Sequence, residues 1–390
     1  HYGISTGFGA LASKRVPVEQ RAILQHSLIR SHAASTGAEV EREVIRAMML
    51  LRLKTMASGH TGVRREVVLG YAAMLNAGIT PITGEYGSLG CSGDLAPLAH
   101  AALALTGEGI VRDKAGTQMS AADALAAAGL EPITLREKEG LALINGTDGM
   151  LGQLILALTD LDTLVTTADL TTAMTVQALC GIDAVFAPDL QALRPHEGQK
   201  LSAANIAALL KDSPLIQAGK SEESKRVQDA YSLRCAPQVT GAVRDTMAHA
   251  AHVAQVELVS AIDNPAVTDD LRVESNGNFH GAPVAYVLDF LAIAVADLAS
   301  MSERRTDRML DPARSRGLNA FLANDPGVDS GYMIAQYTQA SIVSELKRLA
   351  VPASADSIPT SAMQEDHVSL GWSAARKLRR AVDGLGRVLG

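Results

Sequence analysis

Aromatic residues make up only 3% of the 390 residues, with a single Trp. So small a supply of strand-favouring side chains argues against a β-sandwich or barrel, and the recurrent Ala and Leu favour long helices. Cysteine is equally scarce. Cys91, Cys180 and Cys235 are odd in number, far apart and form no C-x-x-C pair. That excludes a disulfide scaffold and a zinc ribbon, and it points to a reducing compartment, the cytoplasm. Basic runs are missing too: 35 Lys and Arg against 42 Asp and Glu leave a net charge of −7, the wrong electrostatic footprint for a nucleic-acid partner. No charged stretch followed by an apolar one opens the chain, so no signal peptide is expected. The most apolar segment, Pro283 to Met301, carries Asp289 and Asp297, which suits a bundle helix and no membrane span. Neither HExxH nor an EF-hand pattern occurs. His249 and His252 stand at i, i+3 without a third ligand nearby, so they read as surface or core histidines and no metal is expected.

What is present is a chain that can bury a large core, 47% hydrophobic and 20% charged, which rules out disorder. Apolar residues at helical spacing predict helices over 17–35, 40–58 and 63–76, the last closed by Gly78. From Gly78 to Gly93 five glycines and Pro81 predict one irregular loop, and Asp94 is placed to cap the next helix. Residues 109–119 suit a β-hairpin, and Ser120-x-x-Asp123 a capping box. Long helices follow at 147–180, 201–211, 238–262, 283–306, 331–350 and 367–389, separated by loops such as 212–230, 307–330 and 351–366. The expected fold is mainly α: long antiparallel helices in a central bundle (147–390), preceded by a loop-rich N-terminal domain (1–146) that carries the glycines. The chain begins without Met and stops inside a helical pattern, so both ends look cut.

The stretch Gly87-Ser88-Leu89-Gly90-Cys91-Ser92-Gly93-Asp94 is the most unusual local feature. On spacing alone a flexible turn before a capped helix accounts for it, because short Gly/Ser patterns are weak motifs. The chemical alternative starts from the unhindered amide of Gly93. That nitrogen could attack the carbonyl of Cys91 and close a five-membered ring. Loss of water then removes the Ser92 hydroxyl and leaves an exocyclic C=C, an electrophile made from backbone. The other glycine-rich stretch, Gly3 to Gly9, has no GK[ST] after it and follows no strand, so a phosphate loop is not expected.

Further polar residues stand out by position. Tyr2 precedes Gly3, His32 falls late in a helix, and Asn145-Gly146-Thr147 reads as a turn capping the helix after it. Arg234, in Gln228-Asp-Ala-Tyr231-Ser-Leu-Arg234-Cys, could clamp a carboxylate bidentately or pair with Asp229 or a backbone carbonyl. Gln364-Glu365-Asp366-His367 could be no more than acids at a helix start.

Taken in order, Tyr2-Gly-Ile-Ser-Thr-Gly-Phe-Gly, Ser31-His32-Ala-Ala, the Gly87–His100 stretch, Ile144-Asn145-Gly-Thr, the Gln228–Cys235 stretch, Asn278-Phe279-His280-Gly, Ser302-Glu-Arg-Arg305 and Gln364-Glu365-Asp-His-Val-Ser form a pattern. The chain resembles the histidine ammonia-lyases of actinobacterial type, within the aromatic amino acid ammonia-lyases that depend on 4-methylidene-imidazol-5-one (MIO). The resemblance implies elimination of ammonia from L-histidine to trans-urocanate, the first step of histidine degradation. It implies that Cys91-Ser92-Gly93 cyclises to MIO with no external cofactor, with Asn145 and Asp94 near the loop. It further implies Tyr2 as the acid/base tyrosine, Arg234 as the carboxylate anchor, Tyr231, Gln228 and Phe279 in the pocket, and His32 and Glu365 facing the imidazole. Members are homotetramers whose sites draw on several subunits. The chain departs from the pattern at Cys91, where many members have Ala, and at His1, where an apolar residue usually precedes the tyrosine.

The chemistry is consistent with that implication. Ammonia is a poor leaving group and the Cβ proton is weakly acidic, so the reaction needs an electrophile, a positioned tyrosine or carboxylate and a fixed Arg. The nearest rival is a tyrosine or phenylalanine ammonia-lyase or aminomutase. Those tend to carry an apolar residue or a His-Leu pair in the His32 region and to lack Glu365, and a carboxylate suits an imidazole better than a phenyl ring. A catalytically silent relative is the other alternative, and packing alone requires none of Tyr2, Ser92, Gly93 and Arg234.

Overall fold

The computed structural model describes residues 1–221 and 226–390; residues 222–225 of the expected loop 212–230 lie outside them. Compactness divides the chain into two units, each built of three stretches. The first comprises His1–Leu156, Val253–Leu288 and Ala353–Arg376, and the second Ala157–His252, Asp289–Pro352 and Lys377–Gly390. The cut expected at 146/147 falls inside the first of these stretches, and two later segments join it.

The helices are α1 (Arg21–His32), α2 (Arg42–Ala57), α3 (Arg65–Asn76), α4 (Leu95–Leu105), α5 (Ala121–Ala127), α6 (Glu139–Ile144), α7 (Asp148–Ala178), α8 (Pro188–Ala192), α9 (Glu197–Leu210), α10 (Pro214–Ala218), α11 (Tyr231–Arg234), α12 (Ala236–Val259), α13 (Ala282–Leu310), α14 (Met333–Leu349) and α15 (Gly371–Leu389). The fold is mainly α, as the composition led us to expect. Strands are short: β1 (Thr36–Glu39) pairs with β3 (Gly84–Tyr86), β2 (Thr80–Pro81) with β4 (Ile110–Arg112), β4 with β5 (Gln118–Ser120), and β6 (Ala266–Val267) with β7 (Val273–Glu274), all antiparallel. The 109–119 hairpin is therefore present, and Ser120 caps α5 by accepting the Asp123 N–H.

In the first unit α1, α4 and α6 pack on one another and α2 on α3, around a core that includes Leu28, Ile29, Met48, Leu98, Leu143 and Ile144. Each such side chain contributes about 1.5–3 kcal/mol by leaving water. Trp372 fills the same core, and its indole N–H donates to the Glu85 carbonyl at 2.8 Å. In the second unit a smaller core gathers Val176, Leu179, Phe186, Ile206 and Leu233. Two helical stretches, Glu139–Ala178 and Ala282–Leu310, are long and apolar enough to cross a membrane, and 83% and 61% of their apolar windows are buried inside the protein. That burial is what core helices show.

Two expectations need correcting. Asp94 stands before α4 but makes no side-chain cap. Its carboxylate accepts instead from the Ser88 hydroxyl and from the Met150 N–H, both at 2.8 Å. The last helix starts at Gly371 rather than 367, because the chain before it runs along the glycine loop without helical form and Leu370 has φ +51°. There the Leu370 N–H bonds the Leu89 carbonyl at 2.8 Å and the Ser369 hydroxyl bonds the Gly90 carbonyl at 2.9 Å.

Candidate active site

The glycine loop is held from below. Gly93 has φ +80°, and a Cβ there would lie 2.2 Å from the Gly146 carbonyl oxygen, so no other residue fits. That same carbonyl accepts the Asp94 N–H at 2.7 Å. Asp94 is fully buried, and burial pushes its carboxyl up to about 7 against the hydrogen bonds from Met150, Ser88 and Gly149 that pull it down. A raised carboxyl binds its proton more tightly folded than unfolded. Stability on this account falls as pH rises from the ordinary value of 3.8 to about 7 and changes no further above it. We expect the Tm advantage of the parent over Asp94→Asn to shrink between pH 5 and pH 8, since Asn cannot ionise. A gap that holds constant or widens would show that Asp94 does not titrate in that window.

Asn145 follows α6 and is 2% exposed. Its Nδ2 donates to the Asn264 carbonyl at 2.9 Å, while its Oδ1 has no partner among the described residues. Its own carbonyl accepts from Arg52 Nη1 at 2.9 Å, and Arg52 Nη2 reaches the Ile262 carbonyl at 2.7 Å. The buried pair Lys138–Asp263 fixes the start of the same 263–264 segment. Arg52 and Lys138 escaped the sequence reading. A lone Arg among the apolar positions of α2 (Met48, Leu51, Thr55) was the available signal.

Above the loop, Ser92 opens onto two cavities. One, of about 450 Å³, is lined by Tyr2, His32, Ser92, Asn145 and Glu365, with an apolar wall of Leu24, Leu28, Leu95, Leu141 and Ile144. The other, of about 330 Å³, shares Tyr2, Ser92 and Glu365 and adds Cys91, Phe279, His280 and His367. Glu365 is central to both. One carboxylate oxygen accepts from the Ser92 hydroxyl at 3.2 Å; the other accepts from the Thr360 hydroxyl at 2.8 Å and lies 3.5 Å from the Cys91 thiol.

The electrostatics follow from burial and this one carboxylate. The Tyr2 oxygen accepts the Gly9 N–H at 2.9 Å, yet burial, helped by Glu365, raises its pKa, so Tyr2 rests as the phenol. Burial lowers His32 below its ordinary value, leaving a neutral imidazole whose Nδ1 meets the Ser31 hydroxyl at 2.9 Å. Burial and Glu365 push the Cys91 thiol up to about 12. It therefore packs as a small apolar group beside Val368 and Leu370 and is no nucleophile.

The predicted site residues thus divide. Tyr2, His32, Cys91, Ser92, Gly93, Asn145, Phe279 and Glu365 lie in the first unit around these cavities. Gln228, Tyr231 and Arg234 lie in the second unit and line neither of them. There Arg234 stacks 4.6 Å over the Tyr231 ring and donates to the Asp229 carbonyl at 2.9 Å and to Gln228 Oε1 at 3.0 Å.

Residues 1–390 match the aromatic amino acid lyases over their whole length. The chain belongs to the aromatic amino acid lyase family. Among curated relatives of known name, it is 67% identical to the histidine ammonia-lyase of Streptomyces coelicolor, covering 100% of this chain and 76% of that protein. It is 51% identical to the histidine ammonia-lyase of Gloeobacter violaceus, covering 100% and 75%. Solved structures of the family superpose closely. Histidine ammonia-lyase from Trypanosoma cruzi gives a TM-score of 0.89 at 41% identity over 100% of this chain and 72% of that one. Tyrosine aminomutase from Streptomyces globisporus gives 0.93 at 39% identity over 100% and 76%. This family fold therefore occurs in proteins of more than one named activity, and fold alone does not select among them.

Proposed function

We propose that this carbon–nitrogen lyase eliminates ammonia from L-histidine and releases trans-urocanate, with an electrophile built from Cys91-Ser92-Gly93. The observation that carries the reading is Glu365 on the same cavity as Ser92, His32 and Tyr2. A phenyl ring has nothing to give a carboxylate and a neutral imidazole at this place, whereas an imidazole can donate to the first and exchange a hydrogen bond with the second. The apolar wall covers the faces of the ring.

The residues fit the MIO group. Gly93 is confined to a position only glycine can hold, Ser92 faces open space, and the buried Asn145 Oδ1, of a residue on the same cavity, lacks a partner among the described residues. Attack of the Gly93 nitrogen on the Cys91 carbonyl and dehydration expel one water, and Ser92 loses a second as its Cα–H and Cβ–O bonds break. Once formed, the group would supply an electrophile at the Ser92 position. Around it the side chains have separate tasks. Glu365 and His32 orient the imidazole, Phe279 packs beside it, Tyr2 holds a proton at its phenol oxygen, and the Asn145 amide oxygen offers an acceptor next to the reacting carbon. The Asp94–Met150 and Arg52–Asn145 contacts keep the loop from moving.

Gln228, Tyr231 and Arg234 complete the site from a neighbouring copy in a homotetramer, with Arg234 taking the substrate carboxylate. Apolar side chains left exposed on the long helices support such an assembly: Leu170 and Met174 on α7, Val256 and Val259 on α12, Tyr286 and Phe290 on α13. The partner is a small molecule, with no nucleic acid, membrane or metal involved, and the location is the cytoplasm. The test of the whole reading is the mass of the 87–94 peptide together with turnover of L-histidine. A peptide lighter than its sequence by two waters, in an enzyme that makes urocanate, is expected. An unaltered mass would sink the electrophile.

Arg234→Lys keeps the charge and loses the planar fork. We expect kcat/KM for histidine to fall by at least about tenfold, roughly 1.4 kcal/mol, with Tm little changed because among the described residues the Arg234 side-chain hydrogen bonds stay within 228–234. A variant that unfolds instead would assign Arg234 to the scaffold.

A further inference from the structure

The segment that presents Glu365 is strained. Ser361, Ala362 and Met363, immediately before Gln364, have φ of +50°, +51° and +68°. L-residues avoid this region, and three in succession persist only where the surroundings over-determine them. All three are exposed, so core packing does not hold them. On their N-terminal side the restraints are the Thr360–Glu365 backbone pair at 2.9 and 3.3 Å and the Ser361 hydroxyl, which accepts the Ala10 N–H at 3.1 Å. On the C-terminal side Asp366 and His367 are exposed as well.

Beyond them Val368 is buried and its N–H donates to the Ser357 hydroxyl at 3.0 Å, and His367 adds a hold nearer to Glu365. Its ring stacks on His280, with centroids 5.3 Å apart and planes at 24°. The Ala282 N–H donates to His280 Nδ1 at 3.4 Å, which places the His280 proton on Nε2. From there it donates to His367 Nδ1 at 3.2 Å or to the His367 carbonyl at 3.3 Å. One proton thus serves either the side chain or the main chain of His367, two residues beyond Glu365. His280 is itself anchored: its N–H bonds the Gly277 carbonyl at 3.1 Å, and the next N–H, of Gly281, bonds the Gly90 carbonyl at 3.2 Å. The His280 segment is therefore fastened to the glycine loop, and the histidine pair extends that fastening to Glu365. No motif in the sequence pairs residues 280 and 367, and neither is needed for the chemistry assigned above.

We propose that the stacked His280–His367 pair is a positioning device that holds the Glu365 carboxylate beside Ser92 against the strain of its own loop; the proposal rests on Glu365 meeting the substrate ring. His280→Phe keeps a ring to stack and loses both nitrogens, while His280→Gln keeps a terminal N–H donor. The experiment measures kcat and KM for L-histidine, Tm and the 87–94 peptide mass in the parent, H280F, H280Q, E365Q and the H280F/E365Q double variant. Expected are a loss of about tenfold or more in kcat/KM for H280F, recovery of most of it in H280Q, and a cost below about twofold for H280F once residue 365 is Gln, because the coupled partner is gone. Tm and the loss of two waters from the loop should not change. An equal cost of H280F in both backgrounds, parental turnover in H280F, or a loop that no longer matures there would each overturn the proposal while leaving Glu365 in place. E365Q with parental turnover would instead remove Glu365 from the site, and the positioning role with it.

Discussion

Replacing Ser92 by Ala is expected to abolish histidine turnover, by at least about a thousandfold, which is about 4 kcal/mol of barrier. Alanine has no hydroxyl to expel, so the exocyclic C=C cannot form and the 87–94 peptide cannot shed its second water. The fold should survive the change. In the parent the Ser92 hydroxyl makes one partly exposed hydrogen bond, to the Glu365 carboxylate at 3.2 Å, worth about 1.5–3 kcal/mol at most. Peptide mass, ultraviolet absorbance of the conjugated ring and Tm together check the expectation. A Ser92→Ala variant that still makes urocanate at even a tenth of the parental rate would take the loop out of the chemistry.

Glu365→Gln keeps shape and loses the charge-assisted part of a contact to the imidazole, about 1.5–3 kcal/mol. Histidine turnover should therefore fall by roughly one to two orders of magnitude. The position at the end of the chain suggests a residue remote from the 91–93 loop, and on that expectation maturation of the loop is untouched by the change. The structure corrects the premise: Glu365 touches Ser92 and reaches the Cys91 thiol. Gln can still accept from the Ser92 hydroxyl, so the loss of two waters should survive, but for that reason and not because of distance. A second consequence concerns Tyr2, which burial and then the Glu365 charge hold above its ordinary value. Removing the charge lowers Tyr2, so whichever limb of the pH–kcat/KM profile reports it should move to lower pH. Turnover within about twofold of the parent, a barrier change well under 1 kcal/mol, would reopen the choice between histidine and an aromatic substrate.

Much of this protein was legible before any coordinates. Helix after helix appeared in the spacing of apolar residues, because a 3.6-residue period is a local property. The Gly87–Asp94 stretch stood out because glycine reports local backbone demands, and Gly93, at φ +80° against Gly146, is such a demand. Tyr2, His32, Asn145 and Glu365 were named from motifs spread over more than 360 residues, but nothing local could say that they share one cavity.

Only the tertiary structure decided that, and it overruled local logic where a side chain had two uses. Asp94 sits where a cap belongs, yet gives its carboxylate to Ser88 and Met150 because both donors are buried with it and have no water to turn to. Residues 367–370 carry a helical pattern but do not form a helix: the Leu370 N–H is spent on the Leu89 carbonyl and the Ser369 hydroxyl on the Gly90 carbonyl. Arg52, passed over in the sequence, became the support of Asn145, and His280 met His367 across 87 residues. Composition and period determine which elements form, since those depend on neighbours in the chain. Which polar group finds which partner depends on neighbours in space, and for this protein the disposition of its chemistry was settled there.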